Sequence, residues 1–364
     1  CASQFRESKS MNDRIIEDVL EGSRLSDDQF LKLYSEADLY QLGYLAAEVR
    51  KKKHPEKVVT YVIDRNINYT DICISACKFC AFYKQPASGE GYLLSREELK
   101  KKIDETLALG GTQILLQGGL HPDLQLDYYE DLVSFIRSCG INVHGFSPPE
   151  IHHFSTISGL TVTEVLDRLI AAGLDSIPGG GAEILTDRVR KLVAPKKCSA
   201  DQWLEVMEQA HDMGLRTTAT MMFGHIETVE ERVEHLRRLR SLQDRTGGFT
   251  AFIPWPFQPD NTTLCDEGSS FKTSGWEYLR MLALARIYLD NFDNIQASWV
   301  TQGPKIAQLS LHFGANDFGS TMIEENVVAA AGVSFSLSEK ELCRLVADAG
   351  FTPQQRLMDY TRIN

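Results

Sequence analysis

The sequence has no long apolar run. None of its 364 residues fall in a stretch of the about 18 apolar positions that a membrane-spanning helix needs. No segment has the order of charged, apolar and small residues that marks a signal peptide. A cytoplasmic protein without a membrane partner is expected. Clustered positive charge is missing too. Lys and Arg number 38 against 50 Asp and Glu, for a formal net charge of −12, and the longest basic run is residues 50–53. Nucleic-acid surfaces need grouped cations, so no nucleic-acid partner is expected. No Pro-rich or low-complexity linker divides the chain. Cysteine is too thinly spread for a disulfide framework, with eight in the whole sequence.

What is present has a repeating order. Residues 11–50 carry leucines at roughly helical spacing and read as two or three helices. From residue 58, short runs rich in strand formers recur at 58–63, 114–119, 141–146, 174–180, 215–224, 249–255 and 295–300. Helix-start signals lie between them. Ser95 with Glu98, Asp127 with Glu130, Thr161 with Glu164, Ser199 with Gln202 and Thr228 with Glu231 fit the capping box, in which each side chain satisfies the other residue's free N–H. Gly110, Gly140, Gly173, Gly214 and Gly247 stand at the helix ends, where glycine accepts the left-handed conformation. Strand, helix and glycine in rotation predict a parallel sheet covered by helices. The loops after several strands are rich in Gly, Pro and polar residues, which favours a TIM-type (β/α) barrel, complete or nearly so, over an open doubly wound sheet. Residues 1–57 read as an N-terminal helical extension, 58–302 as the barrel and 303–364 as a C-terminal helical extension packed on it.

Three cysteines, Cys73, Cys77 and Cys80, occupy eight residues as C-x3-C-x2-C, just after the first strand. Thiolates on so short a loop can converge on one inorganic centre. A four-iron cluster takes four ligands, usually all cysteine, so three leave one iron open to a small molecule. Three other readings stand beside this one. A structural zinc site usually takes four ligands, often from two C-x2-C knuckles, and only one knuckle exists here. A disulfide would leave an odd thiol. A conventional electron-transfer cluster would need a distant fourth cysteine, such as Cys198.

The triad, with Phe79 before its last cysteine and Phe82 and Tyr83 after it, resembles that of the radical S-adenosylmethionine (SAM) superfamily. "QGGLHP" at 117–122 is similar to that family's glycine pair after the second strand. "FSPPEI", "SIPGGGAEIL", "TATMMFGHIET", "FIPWPFQP", "QASWVTQGPK" and "GANDFGSTMIEEN" extend the resemblance from about residue 36 to 360. Together they resemble the dehypoxanthine futalosine cyclase family of menaquinone biosynthesis. Aminofutalosine synthase and the two halves of the deazaflavin (F420 precursor) synthase are siblings.

The resemblance implies a [4Fe-4S] cluster on Cys73, Cys77 and Cys80, with SAM on the open iron. It implies a 5′-deoxyadenosyl radical that removes the C4′ hydrogen of dehypoxanthine futalosine, and ring closure onto the benzoate. An electron donor such as flavodoxin or ferredoxin is implied as a partner. Tyr83 is expected near the adenine and Gly118 and Gly119 near the methionine amino group. Ser147, with Glu150, is expected on a loop facing the cavity. The Glu183 carboxylate can accept from a ribose diol or an ammonium, and Lys197 can answer the SAM carboxylate. Loss of the ring proton needs an acceptor, for which His225, Glu227 and Asp317 are candidates on strand ends. Ser298, Gln302, Asn316 and Asp317 are expected on the substrate side. Each of these residues outside the triad also has a structural reading, as cap, turn or core. The rival of another class is a non-catalytic iron–sulfur or zinc protein.

Overall fold

The first barrel strand runs further than its apolar residues suggest. In a computed structural model, which describes residues 11–268 and 271–363, β1 (Val58–Val62) is followed after one residue by β2 (Asp64–Asn68). The sequence of β2 is DRNIN and every residue of it is buried. Side chains alternate between the two faces of a barrel strand. Asp64 and Asn66 accordingly line a cavity inside the barrel, while Arg65 pairs with Glu105 at 2.9 Å. The strand is polar because its inner face borders a cavity. A search for apolar runs therefore stops at residue 63.

Six more strands extend a parallel sheet from β2: β3 (Gln113–Gln117), β4 (Asn142–Gly145), β5 (Ser176–Ile177), β6 (Arg216–Phe223), β7 (Phe249–Pro256) and β8 (Asn294–Ile295), in that order. The sheet curls, and β9 (Asp317–Ser320) bridges its ends. Asn316 N–H donates to Ile295 at 3.1 Å and Ala297 N–H to Asp317 at 2.9 Å. On its other side β9 pairs with β1, Val62 opposite Ser320. The result is a TIM-type α/β barrel. Its closing strand lies in the segment read from sequence as a helical extension, residues 303–364. That segment also contributes β10 (Thr352–Gln355), which pairs with β1. The run at 295–300 is not one strand, because Trp299–Gln302 is a helical turn.

Three helices precede the barrel: α1 (Met11–Leu20), α2 (Asp27–Glu36) and α3 (Leu39–Lys53). The helices after β2, β4, β5 and β6 begin where the capping boxes place them: at Ser95, Thr161, Ser199 and Thr228 the hydroxyl accepts the N–H three residues on, and that residue's side chain bonds back. Asp127 is an exception. That helix starts at Leu126, after a Gln125 cap that makes no side-chain bond, so Asp127 falls in the first turn. Its carboxylate there faces a helix N-terminus and pairs with Arg168 at 2.7 Å.

Buried arginines hold the closure. Arg286 is 0% exposed; it donates to the carbonyls of Gly314 at 2.8 Å and Asp293 at 2.9 Å, and to the side chain of Asn316. Burial pushes its pKa down to about 9. Gly314 (φ 104°) is required there, since a Cβ would meet the Arg286 side chain at 2.8 Å. Beyond β10, Arg356, Met358 and Tyr360 line the barrel cavity. Arg356 N–H donates to Tyr61, upstream of Asp64, so this segment floors the barrel at the strand N-terminal ends.

Candidate active site

At the opposite end, the loop after β2 brings Cys73, Cys77 and Cys80 to the wall of one cavity of about 220 Å³. Its backbone is held on both sides. Gly119 N–H donates to Thr70 at 2.9 Å, and Ile74 N–H to Leu120 at 3.0 Å. The sulfurs receive donors of their own. Leu120 N–H points at Cys73 Sγ at 3.3 Å and Ser75 N–H at 3.4 Å. Ser75 Oγ lies 3.4 Å from Cys77 Sγ. Cys80 accepts from the N–H groups of Phe82 and Tyr83, and Tyr83 lines the same cavity. Burial pushes the Cys77 thiol up to about 11, and Lys197 works against that shift.

These thiols fit an iron–sulfur cluster. All seven described cysteines are free, so no disulfide competes. Hydrogen bonds to sulfur are the protein's means of tuning such a cluster. Among the described residues no group of three or more His, Cys, Asp or Glu converges on a single ion. The three thiols line one cavity and bring only three of the four ligands that a structural zinc site takes. Cys198 does not line this cavity and faces Arg190 at 3.7 Å. It is not placed to be a fourth ligand.

Beside the cysteines, the glycine pair is fixed by close contact. A Cβ on Gly118 would meet the Tyr69 ring at 2.5 Å, and one on Gly119 the Ile72 carbonyl at 2.2 Å. Glu150, 2% exposed, ties this corner together. One oxygen accepts from Tyr69 OH at 2.8 Å and Gly118 N–H at 3.0 Å. The other accepts from Ser147 N–H and Oγ–H, both at 2.7 Å. Ser147 thus caps the helix Pro148–Ser158 and lines the cavity at once. Across the cavity, Glu183 is held at φ 42°, a region L-residues rarely occupy. It pairs with Lys197 at 2.9 Å and Arg190 at 3.3 Å. Lys197 lies 5.0 Å over the Phe79 ring. Burial opposes the lysine's charge, but Cys77 and Glu183 outweigh it and raise its pKa. Tyr83, Gly118, Gly119, Ser147, Glu183 and Lys197 therefore share one cavity with the three cysteines.

A second cavity, about 280 Å³, fills the barrel below. Gln117, Gly180, Trp255 and Val327 border both. The strands supply its polar lining, including Asp64, Asn66, Gln113, His144, Thr218, Thr220 and Gln296. Apolar Trp255, Trp299, Val300 and Met322 complete it. Sequence reasoning did not select these residues individually. Their signal is polar side chains at alternate positions within strands, as in DRNIN and TTAT.

Of the other expected residues, one lines the deep cavity and five border neither cavity. Ser298 lines the deep cavity, its hydroxyl 2.6 Å from that of Thr301. Gln302 does not line it. Asn316 lies behind the wall, accepting from Ile295 N–H at 3.0 Å and donating to Asn294 at 2.8 Å; it is a strut of barrel closure. Asp317 is 0% exposed and bidentate to Arg356, at 2.5 and 3.0 Å, with Thr60 and Gly319 also donating to it. Its lone pairs are taken, so it is no free proton acceptor. His225 and Glu227 border neither cavity. Glu227 accepts from Gly224 N–H at 2.6 Å, His225 N–H at 2.9 Å and Arg232 at 2.9 Å, and so shapes the turn after β6.

Residues 67–239 match the model of the Radical SAM superfamily, and 246–364 that of the CofH/MqnC C-terminal region. The cyclic dehypoxanthine futalosine synthase of Halalkalibacterium halodurans is 46% identical over 96% of this chain and 94% of its own. That of Streptomyces coelicolor is 45% identical over 96% and 88%. The aminodeoxyfutalosine synthase of Thermus thermophilus is 44% identical over 94% and 93%. Methylornithine synthase, at 19% identity, shares the fold: its crystal structure superposes with a TM-score of 0.71 over 93% of this chain and 97% of that one. No helix among the described residues is long and apolar enough to cross a membrane. The match along almost the whole length, with the thiol triad at the barrel mouth, makes this chain a member of the radical SAM superfamily, an enzyme that uses a [4Fe-4S] cluster and SAM.

Proposed function

We propose that this enzyme cyclises dehypoxanthine futalosine to cyclic dehypoxanthine futalosine. The observation that carries the reading is the shared wall between the cysteine cavity and the deep barrel cavity. One chamber suits a radical source and the other a substrate, with only side chains between. The names of the two relatives at 46% and 45% identity supply the substrate.

Cys73, Cys77 and Cys80 would hold the cluster. Gly118, Gly119, Ser147, Glu183, Lys197 and Tyr83 would surround SAM. When bound, these groups supply the 5′-deoxyadenosyl radical that takes the C4′ hydrogen. The chain's own task is containment. Trp255 and Val327 border both chambers and, with Trp299, Val300 and Met322 in the deeper one, exclude water from a carbon radical. Ring closure onto the benzoate is followed by loss of one electron and one proton, which restores aromaticity. The acceptors along the deep wall are Asp64, His144 and Glu325. Burial pushes His144 down to about 3, so its ring is neutral at physiological pH. A reductant such as flavodoxin or ferredoxin supplies the electron, in the cytoplasm.

The test is anaerobic incubation of the iron- and sulfide-reconstituted enzyme with dithionite, SAM and each family substrate in turn. Dehypoxanthine futalosine is expected to stimulate 5′-deoxyadenosine formation. Stimulation instead by the substrates of aminodeoxyfutalosine synthase, or by tyrosine with 5-amino-6-(D-ribitylamino)uracil, would reassign the enzyme to a sibling reaction.

A further inference from the structure

Of the four residues that border both chambers, one is held differently from the rest. Gln117 and Trp255 stand on β3 and β7, and Gly180 follows β5, so the sheet fixes them. Val327 comes from the segment after β9, where it begins a single helical turn, Val327–Ala330. So short a turn has no ladder of its own to hold it. The residue before it, Asn326, makes no capping bond with its side chain.

Glu325 supplies the hold. Its Oε1 accepts from Val327 N–H at 2.8 Å and from Val328 N–H at 2.9 Å. These are the first donors of the turn, which have no partner within it. Its Oε2 accepts from Asn66 Nδ2 at 2.8 Å, so one carboxylate ties the turn to the inner face of β2. Neighbouring bonds fix the segment on either side. Asn326 Nδ2 donates to Asn68 Oδ1 at 3.2 Å, and Lys102 pairs with Glu324 at 2.6 Å. Further on, Asn261 Nδ2 donates to the Ala330 carbonyl at 2.9 Å. The asparagines of DRNIN thereby gain a second use, as anchors for this segment. Glu325 itself lines the deep cavity beside Val327 and Val328.

The position of that wall bears on the chemistry. A radical formed in one chamber must meet one hydrogen in the other, and misplacement by about 1 Å can cost about a hundredfold in rate. We infer that Glu325 is a positioning residue: by fixing the backbone of Val327 it keeps the wall between the two chambers in place, and so couples SAM cleavage to hydrogen removal from the substrate. This rests on the roles that the cyclase reading gives the two chambers.

Three variants separate the hold from the wall and from proton transfer. Each is reconstituted with iron and sulfide and read in two ways. One is hydrogen exchange of the peptide spanning residues 324–330, by mass spectrometry. The other is the ratio of 5′-deoxyadenosine to cyclised product formed with dehypoxanthine futalosine, SAM and dithionite. Glu325→Ala is expected to speed that exchange about tenfold or more, the range of one or two lost hydrogen bonds. It should also raise the ratio about tenfold or more, as a displaced wall would. Glu325→Gln is expected to restore both readings to near wild type. Its carbonyl oxygen can accept both N–H groups, and Asn66 can turn its amide to accept from the new NH2. Val327→Ala keeps the hold and shortens the wall, so it should raise the ratio without speeding exchange. It remains informative if Glu325→Ala does not fold. The inference is overturned if Glu325→Ala leaves either reading at the wild-type level, or if Val327→Ala leaves the ratio there. It is overturned too if Glu325→Gln stops product formation with exchange unchanged, the result expected of a proton acceptor. A wild type that forms no cyclised product overturns the cyclase reading and the coupling role together; the exchange data then still decide whether Glu325 holds the turn.

Discussion

Cys77 and Cys198 separate a ligand from a look-alike at the level of single residues. Both are buried thiols. Cys77 lines the mouth cavity with Lys197 and Glu183, whereas Cys198 accepts from Arg190 outside it. Cys77→Ala is therefore expected to abolish the brown absorbance of the reconstituted cluster, and Cys198→Ala to leave it intact. Retention of full absorbance by Cys77→Ala would contradict the ligand assignment. The triad was legible in the sequence because three thiols in eight residues have few uses. Glu183 and Lys197 were legible through the resemblance. His225, Glu227 and Asp317 were not separable from catalytic candidates, because a carboxylate after a strand looks the same whether it faces a cavity or bonds its own turn. Only the three-dimensional partners, Arg232 for Glu227 and Arg356 for Asp317, distinguish the two.

Among the elements, four of the five helices read from capping boxes between the strands begin where the boxes place them, since capping is a local interaction between residues three apart; the helix at Leu126 is the exception. Three strands were missed: β2, β9 and β10. β2 is polar where it borders the cavity. β9 has four residues, DFGS, too few for periodicity to register, and its strand state depends on pairing with β1 across the closure. That closure depends in turn on Arg286. Arg286→Leu would leave the carbonyls of Gly314 and Asp293 and the Asn316 amide oxygen without that donor. The Asn316 oxygen keeps Ile295 N–H and the Asp293 carbonyl keeps the His54 ring, so Gly314 is the group left without a side-chain donor, and a loss of about 1–3 kcal/mol is expected in urea unfolding. A midpoint within error of wild type would show that the barrel closes without it.

Across the whole molecule, burial sets the direction of titration among the buried histidines. His211 is one case: burial pushes it down to about 4, and its ring nitrogens bond Thr246 and Thr217, both at 2.7 Å. Its ordinary pKa is near 6.5. Between those values the unfolded chain binds the proton and the folded one does not, so this residue's contribution is lost as pH falls below 6.5. His211→Gln removes that proton. Between pH 7 and 5.5 the variant should lose less stability than wild type, by up to roughly 1.4 kcal/mol. Equal losses in urea unfolding at the two pH values would show that His211 titrates normally in the folded protein.

The barrel joins a chamber for a radical source to one for a substrate, and the central claim is that a hydrogen atom crosses the wall between them. Dehypoxanthine futalosine carrying deuterium at C4′, incubated anaerobically with reconstituted enzyme, dithionite and SAM, tests it by mass spectrometry. The expected result is one deuterium in 5′-deoxyadenosine and none at that carbon in the cyclised product. Unlabelled 5′-deoxyadenosine, or a product that keeps the deuterium, would contradict it.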